Sequence, residues 1–119
     1  MINVITKFKE ISDYFSPKII GEVNDVFVKI VKVKGDDIPW HNHEHEDELF
    51  YVLEGSLLFE EEDKAPFIMN AGNMYTVKKG INHRISATEE CKLMLIENKT
   101  TAHTGTVKAA ITKSLGDQL

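Results

Sequence analysis

Hydrophobic positions change their period once along this chain. Val4, Phe8, Ile11 and Phe15 recur at three- and four-residue spacing, with Lys7, Lys9, Glu10 and Asp13 between them. That spacing marks one face of an amphipathic helix. Ser16-Pro17 ends it, because the residue ahead of a proline is driven out of the α region. The pattern therefore predicts a short helix over residues 4–15. From Lys18 onward the apolar residues alternate, or fall in short runs bounded by turn residues, as strands do. Residues 18–23 and 26–34 read as two strands about an Asn24-Asp25 turn, and residues 49–53 and 56–61 as a hairpin across Glu54-Gly55. Residues 67–69, 74–77, 83–86 and 92–97 read as further short strands. Many short strands separated by turn signals predict an all-β antiparallel sandwich or barrel. Residues 100–119 are polar and rich in small side chains, with one more strand expected near 107–111 before the chain frays. No repeat or linker interrupts the pattern, so one domain is expected: helix 4–15, barrel 18–98 and tail 100–119.

Composition narrows the partners. At 119 residues with 42% apolar side chains, the chain is long enough to bury a core without disulfides. A net charge of −5 and scattered lysines leave no basic stripe to meet phosphates, which disfavours nucleic acid. Lys29, Lys32 and Lys34 alternate with valine and isoleucine and are expected to face solvent. There is no long apolar run and no leader pattern, so no membrane partner is expected. Cys91 is the one cysteine and has no internal partner, which fits a reducing cytoplasm. It is expected to pack as a small buried hydrophobe rather than to act as a nucleophile.

The chemistry lies in Trp40-His41-Asn42-His43-Glu44-His45-Glu46-Asp47-Glu48. His41 and His43 are two apart and share one face of an extended chain. Glu48 opens the next strand, and His83 lies downstream after Lys79-Gly80-Ile81-Asn82. Nitrogen and oxygen donors grouped in this way suggest a metal site. His45 reads as solvated or supporting. Glu44, Glu46 and Asp47 form an acidic loop, and Glu60, Glu61, Glu62 and Asp63 a charged turn. His103 sits in the polar tail and is given no role.

The spacing from Gly35 through His41, His43 and Glu48 to Gly55 resembles the first motif of the cupin superfamily, G-x5-H-x-H-x4-E-x6-G. Gly72, Gly80 and His83 resemble the second, G-x5-P-x-G-x2-H-x3-N. Here the chain departs, with Lys78 in place of proline and Ala87 in place of asparagine. The likeness is to small single-domain members of the conserved-barrel group. It implies a double-stranded β-helix, or jelly-roll barrel, with one divalent metal ion held by His41, His43, Glu48 and His83. Iron, manganese, nickel, cobalt and zinc all suit three imidazoles and a carboxylate.

By alternation, Phe50, Val52, Phe59, Met69, Tyr75, Ile85, Met94 and Ile96 are expected to line the interior, with Tyr75 as a polar handle. The resemblance covers isomerases and epimerases as well as dioxygenase-like enzymes acting on small organic molecules. A non-catalytic module holding a metal or small ligand is the alternative, and a barrel that has lost its metal is a third. Tyr75 and His45 are the nearest candidates for an acid or base. Open sheet edges favour a homodimer.

Overall fold

The computed structural model describes residues 1–101 and Gln118; the strand expected near 107–111 and His103 lie outside the described residues. Among the described residues, seven strands follow a short helical start: β1 (Lys18–Val23), β2 (Val26–Gly35), β3 (Glu48–Glu54), β4 (Ser56–Glu61), β5 (Phe67–Asn70), β6 (Met74–Val77) and β7 (His83–Asn98). All pairings are antiparallel. One layer has the order β1-β2-β7-β3-β6, while β4 pairs with β5 and with the first part of β7. The two segments expected at 83–86 and 92–97 are thus one strand. Its start pairs with β4, His83 lying opposite Glu61, and its end lies between β2 and β3. By passing from one layer to the other, β7 ties the halves of a jelly-roll barrel together.

The core fills the space between the layers. Val31, Val33, Phe50, Val52, Leu57, Phe59, Met69, Val77, Ile85, Leu93 and Leu95 are all buried there. Because β7 is continuous, its odd-numbered residues are buried along both halves, Glu89 at the crossing between layers excepted. Leu93 and Leu95 therefore take the interior places expected of Met94 and Ile96, which are only half buried. Gly55 makes the β3–β4 turn tight: its φ is +85°, and a Cβ there would lie 2.7 Å from the Glu90 carbonyl oxygen.

The helix is shorter than its spacing predicts. An α-helical turn, α1 (Val4–Lys7), is capped by the Asn3 side chain, which accepts from the Thr6 amide, and Phe8–Glu10 tighten into a 3₁₀ turn. Val4, Phe8 and Ile11 do form one apolar face, packed over Ile20, Ile30 and Leu53. β2 interrupts the helix. The Lys32 ammonium donates to the Ile11 carbonyl at 2.9 Å, satisfying an acceptor the helix end leaves free. The Phe15 amide then donates to the Lys32 carbonyl at 2.8 Å. Phe15 adopts a left-handed conformation, φ 55°, and its ring is buried in the barrel core.

Candidate metal centre

Three short pieces of chain bring the four donors together. His41 forms an isolated bridge to His83, each amide donating to the other's carbonyl at 3.1 and 2.9 Å. The Gly80 amide donates to the His43 carbonyl at 2.8 Å, so the loop ahead of β7 clasps the loop ahead of β3. Asp47 strengthens the clasp by accepting from the Lys79 amide and pairing with Lys78 at 3.5 Å. The lysine that stands in the motif's proline position is thereby given a partner.

His41, His43, Glu48 and His83 are all buried, and one donor atom from each lies within 4.8 Å of the others. The ring centroids of His41 and His83 are 4.5 Å apart, and those of His41 and His43 are 5.1 Å apart. Glu48 Oε1 lies 3.4 Å from His43 Nε2 and 3.5 Å from His83 Nε2. His41 and His83 direct Nδ1 at the carbonyls of Pro39 and Ile81, each at 2.9 Å. With the proton held on Nδ1, Nε2 carries a lone pair facing the cluster. Both ring nitrogens of His43 and Nε2 of His83 are buried without a hydrogen-bond partner among the described residues. Buried polar atoms are rarely left so. Orphaned imidazole nitrogens around a carboxylate are what a divalent cation would satisfy, so the donor set fits a metal ion.

Electrostatics point the same way. Burial, followed by the neighbouring His83, lowers the pKa of His41 to about 4 and keeps its ring neutral. Behind Glu48 lies a pair of charges that the alternation of β2 and β7 places inside the barrel. Glu97 is the cross-strand partner of Glu48, and both are buried. Lys29, expected at the surface, is 1% exposed and its ammonium sits 2.7 Å from Glu97 Oε1. Burial and the charge of Glu48 push the Glu97 carboxyl well above the usual carboxylate range. Burial alone would raise Glu48 too, but Glu97, followed by the facing His43 and His83 rings, holds it well below that range. Of the two carboxyls, Glu48, the one facing the histidines, is thus the more acidic. Lys29 has the same odd parity as Val31 and Val33, and that was the sequence signal for its burial.

Other expected residues lie elsewhere. His45 is solvent-exposed, 3.8 Å from Glu44, and stands apart from the donors. Tyr75 does not serve the cavity. Its hydroxyl donates to the buried Glu61 carboxylate at 2.8 Å and accepts from Lys64 at 3.0 Å, so Glu61 is not a solvated turn residue. Arg84 pairs with Glu60 and lies over Trp40, away from the cluster. Cys91 is buried, which pushes its thiol up to about 11 and leaves it a packing residue.

A cavity of about 30 Å³ touches His41, Glu48 and His83. Its remaining walls are apolar: Val31 and Val33 of β2, Phe50 of β3, Ile85 and Leu95 of β7, Ile38, and from the N-terminal segment Phe15 and Pro17. Beyond the three donors, none of these side chains can exchange a proton.

A family model of the cupin domain matches residues 27–97. "Uncharacterized protein YdbB" of Bacillus subtilis is 32% identical over 99 residues, covering 83% of this chain and 87% of that protein. Among solved structures, a cupin-2 domain containing protein from Shewanella frigidimarina is 42% identical. It superposes with a TM-score of 0.77 over 82% of this chain and 93% of its own. Protein NMB1881 from Neisseria meningitidis is 30% identical, with a TM-score of 0.75 over 82% of this chain and 98% of its own.

Proposed function

The chain belongs to the cupin family, and we propose that it binds one divalent metal ion through His41, His43, Glu48 and His83 as a metal-dependent enzyme acting on a small organic molecule. The observation that carries this reading is the set of orphaned, buried imidazole nitrogens turned toward one carboxylate. Four protein donors leave one or two positions open on a six-coordinate ion. Bound there, the ion would supply Lewis acidity to a ligand oxygen, or a binding place for dioxygen if it is iron. The chain's own contribution is to hold three imidazole rings and one carboxylate in place and to keep bulk water from the open side with aliphatic and aromatic walls.

Among the chemistries that cupins host, oxygenase-like conversion suits this cavity better than isomerisation or epimerisation. The latter two move a proton on the substrate and call for a placed acid or base. Among the described residues, the walls beyond the donors offer none, since Tyr75 and His45 point elsewhere. A non-catalytic metal-holding barrel is the second reading, favoured by the small free volume beside the donors.

Elemental analysis of purified protein separates both readings from a barrel without metal, because each requires about one ion per chain. His43→Ala and His83→Ala should each reduce bound metal at least tenfold, and full occupancy in either variant refutes the ligand set. Oxygen consumption by iron-loaded protein with small aromatic and keto-acid substrates then divides enzyme from binder.

A further inference from the structure

We infer that Phe15 decides the size of ligand that can reach the open side of the metal centre. The inference rests on the metal-binding reading above and adds a specificity-determining residue to it. Of the apolar side chains around the donors, most are fixed by the barrel, because they belong to β2, β3 or β7. Phe15 is not. It belongs to the segment between the 3₁₀ turn and β1, outside residues 27–97 that the cupin family model matches.

The backbone shows that the ring's position is selected. Phe15 is 3% exposed and holds a φ of 55°, a conformation that a residue with a Cβ adopts only when its surroundings impose it. Its amide bond to the Lys32 carbonyl and the Lys32 bond to the Ile11 carbonyl fix the segment to β2 on both sides of the bend. The left-handed turn delivers a bulky ring to a cavity that also touches His41, Glu48 and His83. With the ring there, the space left beside the donors is about 30 Å³. Truncation of Phe15 is the change that merges the space of a phenyl ring with the metal-facing cavity without altering any barrel strand.

The test loads full-length protein with cobalt(II) and follows the visible ligand-field spectrum during titration with azide or with imidazole. In wild type, imidazole should perturb the spectrum only at concentrations at least tenfold higher than in Phe15→Ala, whereas azide affinity should differ by less than about threefold. Phe15→Trp, which keeps the bulk, should exclude imidazole as wild type does. If Phe15→Ala fails to fold, Phe15→Leu serves instead and should give an intermediate imidazole affinity. Equal imidazole affinity in wild type and the truncated variant, with a normal cobalt spectrum in both, overturns the role of Phe15 alone. No cobalt spectrum in wild type overturns the metal reading, and this inference with it.

Discussion

Lys29 and Glu97 show how single residues serve the site without being donors. A lysine in a barrel interior is tolerated when its charge is matched, and Glu97 at 2.7 Å supplies the match. Lys29→Met should therefore destabilise the protein by roughly 3–5 kcal/mol, because Glu97 and Glu48 would be left buried without their cation. A urea titration of the variant beside wild type measures this. Glu97→Gln keeps a donor toward Glu48, so it should retain metal affinity far better than Glu97→Leu. His41 carries the pH dependence. Its folded pKa of about 4 lies below the ordinary 6.5, so the unfolded chain takes up the proton first. Its contribution is complete above pH 6.5 and is lost as pH falls toward 4, reaching roughly 3 kcal/mol in the metal-free protein. The wild type should lose more stability between pH 7 and 5 than His41→Gln does, and an equal loss in both contradicts the low pKa. That His41, His43, Glu48 and His83 cluster was legible in the sequence because their spacing is fixed by a loop and two strand starts. Glu97 was not, since a glutamate at a strand end reads as surface until the strand's parity is known.

At the level of elements, strand continuity decided what could be read. Treating 83–86 and 92–97 as separate strands gave Ile85 one parity and Met94 and Ile96 the other. A single β7 has one parity, which places Ile85, Leu93, Leu95 and Glu97 on the same face. No local signal marks the join, because Glu89 and Glu90 look like a turn and are in fact exposed residues of a strand passing between layers. The helix failed for a similar reason: periodicity finds the buried face of Val4, Phe8 and Ile11 but not the competition from Lys32 for the Ile11 carbonyl. The β3–β4 turn was legible because Gly55 names it. Gly55→Ala should destabilise by roughly 3 kcal/mol, combining the left-handed φ with the clash against the Glu90 carbonyl. Thermal unfolding checks this, and a change within a few tenths of a kcal/mol contradicts the geometry.

For the whole molecule, the four clustered residues lie where the two layers meet at one end. His41, His43 and Glu48 precede or open the β3 layer, while His83 opens the part of β7 that pairs with β4. An ion bound to all four bridges elements that the apo protein joins there through backbone bonds and the Asp47 clasp. Binding to the folded state alone stabilises it by about 2.7 kcal/mol when free metal is 100 times its dissociation constant. For a domain of this size that corresponds to a rise in Tm of roughly 10 °C. The rise should follow metal concentration, vanish on chelation, and be lost in His83→Ala even where the variant's metal-free Tm stays near wild type. Asp47→Ala, which leaves every donor in place but loosens the loop carrying His43, should keep the full rise only at a higher metal concentration. A rise unaffected by His83→Ala would place the stabilising ion elsewhere in the barrel.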